Sequence, residues 1–141
     1  SSAASDVYKR QGYTYSGHPV GAAAALAAIA ETRRLDVVTN AAARGTQLYD
    51  GMVSLAGQYP VVGDVRGRHG LMTAMELVAD LETKAPIDGK LAIKMQKAAY
   101  QAGALIRVSG PNVILSPSLV IEEADIDIAL NAVEEGLKAI S

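Results

Sequence analysis

The stretch Gly12-Tyr13-Thr14-Tyr15-Ser16-Gly17-His18-Pro19, with the alanine-rich run Val20 to Arg34 behind it, constrains this chain more than any other. Two glycines, hydroxyl side chains and a proline make a tight, polar turn. Pro19 suits the first helical position, where its missing N–H costs nothing and its fixed φ favours entry. From Gly21 to Ala25 no side chain is larger than a methyl, so the helix is expected to lie buried against other helices or a sheet. The turn sits at its N-terminal end, where unpaired N–H groups and a partial positive charge gather, and Thr14 adds a hydroxyl. Turn chemistry alone leaves two readings open: close helix packing, or a site for phosphate or another anion.

A length of 141 residues allows one modest domain or part of a larger one. Half the residues are hydrophobic and a fifth charged, a globular balance. The net charge of −2 gives no reason to expect nucleic acid or an anionic membrane as partner. Without cysteine there is neither a disulfide framework nor a thiolate metal site, and His18 and His69 are too few and too far apart for metal-ligand spacing. No apolar run approaches a membrane span and no signal pattern opens the chain, so the cytoplasm is the default location.

Past the turn, Asp36 is placed to cap a second helix with a stripe at Val38, Ala41, Gly45, Leu48, Met52, Leu55 and Tyr59, stopped by Pro60. Val61 to Arg66 and Leu71 to Val78 read as strands joined by Gly67-Arg68-His69-Gly70. That link matches no nucleotide fingerprint and reads as a turn. Glu76, alone on its strand, reads as a surface or ion-paired carboxylate. Asp88 caps a helix carrying Leu91, Met95, Ala98 and Ala102 and ending at Gly103. Ala104 to Val108 and Asn112 to Ser116 are strand-like around the turn Ser109-Gly110-Pro111. A last helix has Glu122, Glu123 and Asp125 in its first turn and a stripe at Ile126, Leu130, Val133, Leu137 and Ile140. The order is two helices, then strand–strand–helix–strand–strand–helix: an α/β chain that changes character near Pro60.

Arg107 is the only cation on its strand, in Ala-Leu-Ile-Arg-Val-Ser-Gly. A guanidinium on a half-buried strand suits a planar anion such as a carboxylate held bidentately, or a surface Asp or Glu.

The segment GYTYSGHPVGAAAALA closely resembles one found in class III, fold-type I, pyridoxal-phosphate-dependent aminotransferases of the omega-transaminase kind, and the resemblance runs from Gly12 to Ser141. It implies an α/β fold: helices from the end of the large domain (12–60) and a C-terminal small domain with a short, mainly antiparallel sheet (61–141). Residues 1–11 are polar, low in complexity and unlike the family, with Gln11 where a histidine is usual; they read as a non-native leader. In the family the threonine matching Thr14 binds the cofactor phosphate, typically across a homodimer, and the aromatic residue matching Tyr13 lines the same site. An arginine at the position of Arg107 binds the carboxylate of the keto- or amino-acid partner in the omega-transaminase subgroup. The ornithine branches carry theirs where this chain has Leu115 and Ser116, which favours an amine–pyruvate or β-alanine–pyruvate type. Ser118 replaces a usual proline.

The resemblance therefore implies a transaminase with pyridoxal 5′-phosphate as cofactor, small amines and keto acids as substrates, and the Schiff-base lysine upstream. Lys9, Lys84, Lys90, Lys94, Lys97 and Lys138 lie in the leader, a loop or helices. The 141 residues alone are thus expected to be inactive. Two alternatives stay open: another activity of the same cofactor, such as an aminomutase or decarboxylase, and a non-catalytic α/β binding or scaffold domain.

Overall fold

The turn into the alanine-rich helix is built from its own residues. Tyr15 O accepts from His18 N at 3.2 Å, and Gly17, third in the four-residue turn, adopts φ 73°, the left-handed value that glycine takes without strain. The computed structural model describes residues 14–141. These fall into two units, the first ending at Leu35 and the second running from Asp36 to Ser141. In the first, helix α1 spans Pro19–Arg34 with Pro19 in its opening turn and Arg33 and Arg34 in its last. The expected burial of α1 is not found: none of its residues is buried, and Leu26 is 69% exposed. Among the described residues, α1 is the one helix or strand of its unit and has no second element there to pack on.

The second unit begins with helix α2, Val37–Gln58. Asp36 holds the cap position but, at φ 45°, makes no side-chain cap bond to the backbone; its Oδ1 accepts from the Thr39 hydroxyl at 2.9 Å instead. The buried stripe is Val37, Gly45, Leu48, Met52 and Leu55. Val38, expected on it, is 75% exposed, because the stripe runs back in steps of four from Gly45 through Ala41 to Val37.

Strand β1, Val62–Arg66, pairs antiparallel with β2, Thr73–Leu77. Helix α3, Gly89–Gln101, follows, with Asp88 Oδ1 accepting from Lys90 N at 2.9 Å as its cap. The hairpin of β3, Arg107–Ser109, and β4, Asn112–Leu115, turns at Gly110-Pro111. Helix α4, Glu123–Lys138, ends the order. The sheet runs β1-β2-β4-β3, antiparallel throughout. The expected α/β fold with a short antiparallel sheet is thus found.

α2, α3 and α4 cover one face of the sheet. Met75, Leu77, Val113 and Leu115 meet Leu48, Met52, Met95, Ile126, Val133 and Leu137 in the core. α3 turns Ala92, Met95 and Ala99 inward; of its expected stripe only Met95 is fully buried, since Leu91 lies one position off that row. Gly63 sits where the register shifts between Val62 and Asp64. One extra residue there lets Val62 and Val65 both face inward while Asp64 and Arg66 point out. The break between units falls at Leu35/Asp36, and α2 packs on β1 and β2.

Candidate functional site

Gly17, His18 and Pro19 have local structural tasks. Gly17 makes the turn. His18 caps α1, its Nδ1 accepting from Gly21 N at 3.2 Å, and its ring meets that of Tyr15 edge-on with centroids 5.8 Å apart. Pro19 starts the helix. His18 thus takes one of the amides that an anion at this end could have used. Thr14, just ahead of the turn, is exposed, and its hydroxyl has no hydrogen-bond partner among the described residues. No acidic residue lies in the first turn of α1. The donor set of a hydroxyl and a positive helix end therefore fits a phosphate. Tyr13 lies outside the described residues.

In the second unit the uncovered face of the sheet is a ruled surface. The pairings Asp64↔Glu76, Glu76↔Asn112 and Ser109↔Asn112 place four side chains in one cross-strand row. The next row is Arg66, Ala74, Ile114 and Arg107. Two guanidinium groups therefore stand at opposite ends of one row, in different surroundings. Arg66 donates from Nη1 to Glu76 at 2.7 Å and to Asp64 at 3.1 Å, and from Nη2 to Asn112 Oδ1 at 2.6 Å. Its bond to Glu76, with Asp64 adding to it, holds its pKa above the usual arginine value. Glu76 is ion-paired, one of the two roles expected for it.

Arg107 has no ion pair or side-chain hydrogen bond among the described residues. It lies on an edge strand whose core-facing neighbours are the buried Ile106 and the half-buried Val108. It also lines a concavity of about 430 Å³ together with Leu105, Ile114, Pro117, Ile128 and Asp125. Asp125 is turned back to its own helix, Oδ2 accepting from Glu122 N at 3.4 Å. Thr14 and Arg107 belong to different units. The Gly67–Gly70 link serves packing: a side chain on Gly45 of α2 would run into the Gly70 backbone.

The described lysines all lie at the surface. Lys84 Nζ donates to Gly63 O at 3.1 Å, Lys138 pairs with Glu134 and Glu135, and Lys90, Lys94 and Lys97 are exposed on α3. Among the described residues there is no metal-binding group of His, Asp and Glu, and no helix is long and apolar enough to cross a membrane.

The second unit is a short antiparallel sheet backed by three helices, with an arginine on its edge strand that has no ion pair among the described residues; the described part of the first is a glycine turn that opens onto a small-residue helix. The chain belongs to the class-III aminotransferases, whose family model matches residues 2–137. That match takes in most of the stretch set apart above as a leader. A taurine–pyruvate aminotransferase from Bilophila wadsworthia is 36% identical over 142 residues, covering 96% of this chain and 31% of that protein. An amine transaminase from an uncultivated Pseudomonas species, solved in its PLP-bound form, matches with a TM-score of 0.84 and 38% identity, over 94% of this chain and 30% of that one. A thermostable (S)-enantioselective omega-transaminase from Thermomicrobium roseum gives 0.81 and 33%, over 93% and 29%. The chain spans just under a third of the relatives it matches.

The sequence reading missed the capping role of His18 and the Arg66 cluster. Period-two alternation places Asp64 and Arg66 on one face. Only the hairpin register, shifted at Gly63, brings Glu76 and Asn112 beside them.

Proposed function

We propose that this chain is the C-terminal part of a pyridoxal-phosphate-dependent transaminase that moves an amino group between an amine or amino acid and a small keto acid such as pyruvate. One observation carries the reading: Arg107 is a guanidinium on the uncovered sheet face with no ion pair or side-chain hydrogen bond among the described residues. Its planar fork suits a carboxylate, and the resemblance assigns that role to this position. The taurine–pyruvate relative favours pyruvate as acceptor.

Pyridoxal phosphate, when bound, supplies an electron sink for the substrate's α-carbon. The chain's own residues hold the ends. Thr14 would donate its hydroxyl to the phosphate, and in a homodimer this would serve the neighbouring subunit's cofactor; the resemblance gives Tyr13 to the same site. Arg107 orients the keto acid by its carboxylate and releases that position when an amine without a carboxylate binds. The lysine that would anchor the cofactor and carry the proton is expected outside the described residues.

The test is a purified aminotransferase carrying this chain, given an amine donor and pyruvate. Alanine should form, and Thr14→Ala should weaken cofactor retention about tenfold, the worth of one charge-assisted hydrogen bond. Absence of alanine with every amine donor tried, with the cofactor bound, would overturn the reading.

A further inference from the structure

The cross-strand rows connect Arg66 to Arg107 through one side chain. Arg66 lies over Ala74, the small residue paired with it, and so reaches across β2 to Asn112 on β4 at 2.6 Å. Asn112 in turn donates from Nδ2 to Ser109 O on β3 at 3.4 Å. Ser109 ends the three-residue strand that begins at Arg107. The chain of bonds therefore starts at two carboxylates on β1 and β2, crosses the sheet, and ends on the backbone of the strand that carries Arg107.

β3 needs such support. It is an edge strand, paired on one side only, and short; edge pairing of this length frays readily. A guanidinium that recognises a carboxylate bidentately must be held within a fraction of an ångström and a few tens of degrees. Asp64 and Glu76 also satisfy Arg66, so that it does not compete with Arg107 for a substrate carboxylate on the same row. Asn112 is the joint: its carbonyl oxygen accepts from Arg66 while its amide holds the β3 carbonyl, a division of labour that neither a carboxylate nor an apolar side chain reproduces fully.

We infer that Arg66, acting through Asn112, is a positioning residue for Arg107 and thereby for the keto-acid carboxylate. This inference rests on the carboxylate role proposed for Arg107.

The experiment compares Asn112→Leu, Asn112→Asp and Arg107→Leu in an active aminotransferase carrying this chain, with amide exchange at residues 107–109 measured on the same proteins. For Asn112→Leu the KM for pyruvate should rise about tenfold, while kcat and the KM for an amine donor without a carboxylate stay within about twofold. Exchange at residues 107–109 should quicken about tenfold against an unchanged core. Asn112→Asp keeps an acceptor for Arg66 but loses the amide that holds the Ser109 carbonyl, so its pyruvate KM should rise as well. If Arg107→Leu raises the pyruvate KM and Asn112→Leu does not, the inference is overturned and the role of Arg107 stands. If Arg107→Leu leaves that KM unchanged, the proposed carboxylate role fails, and this inference with it. Should Asn112→Leu prove too unstable to assay, Asn112→Asp decides: amide exchange at residues 107–109 matching wild type, with an unchanged KM, overturns the positioning role.

Discussion

Helix α2 carries three glycines in three different surroundings, and they make a graded test of its packing. At Gly45 a Cβ would collide with the Gly70 carbonyl, whose carbon and Cα would lie at 2.6 and 2.9 Å. Ordinary carbon contacts are about 3.5–4.0 Å, so the neighbour would have to move by roughly 1 Å. That neighbour is backbone in a left-handed glycine link, φ 97° at Gly67 and 81° at Gly70, and has little room to give. At Gly51 the new atom would run into the Leu130 side chain, its two methyl groups first and its Cγ behind them, the far end of a flexible side chain. At Gly57 it would meet nothing within 4 Å. Replacing helical glycine with alanine gains up to about 1 kcal/mol of helix propensity, less near a helix end, and overpacking costs about 1–3 kcal/mol. Gly45→Ala should therefore destabilise the chain by about 2 kcal/mol, since its overpacking falls at the top of that range. Gly51→Ala should be near neutral, and Gly57→Ala should stabilise by about 0.5 kcal/mol. Urea unfolding followed by helical circular dichroism reads all three. With a slope of about 2 kcal/mol per molar, Gly45→Ala moves the midpoint down by about 1 M. A Gly45→Ala protein as stable as wild type, beside a stabilised Gly57→Ala, would refute the packing of α2 on the β1–β2 link.

Two further outcomes follow from caps and ion pairs. His18→Ala removes the side-chain acceptor of Gly21 N and should loosen the first turn of α1 by about 1 kcal/mol, seen as faster amide exchange at Gly21; unchanged exchange would remove His18 as the cap. Lys138 hydrogen-bonds Glu134, chiefly lowering that carboxyl's pKa, with Tyr59 adding to it. The unfolded chain then binds the proton more readily, so this contribution is present above the ordinary glutamate pKa and lost as pH falls through the lowered one. Lys138→Met should move the Glu134 titration, followed by side-chain carbonyl NMR, up toward the ordinary value; an unmoved titration would show that the pair is not formed in solution.

Much of this was legible because local chemistry and global packing agree. Asp88 caps α3, and Gly110-Pro111 turns the last hairpin, through interactions a few residues long. The stripe of α4 was read correctly at Ile126, Val133 and Leu137. Failures came where one residue shifts a pattern or where partners are distant. Gly63 adds a residue to β1 and changes which side chains face out. Val37, not Val38, begins the α2 stripe, a one-position error that periodicity over few turns does not resolve. The small residues of α1 suit close packing without naming a partner. At the site, Arg107 was legible as an isolated cation, whereas Asn112 acquires its place only from strand register, forty-six positions from Arg66.

The most direct test of the account is the response of Arg107→Leu to two amino acceptors, pyruvate and an aldehyde of similar size without a carboxylate, in an aminotransferase carrying this chain. A charge-assisted bidentate contact is worth about 1.5–3 kcal/mol, so kcat/KM for pyruvate should fall about 10- to 100-fold while that for the aldehyde stays within about twofold. Equal losses on both acceptors, or none on either, would contradict the assignment of Arg107 as the residue that holds the keto-acid carboxylate.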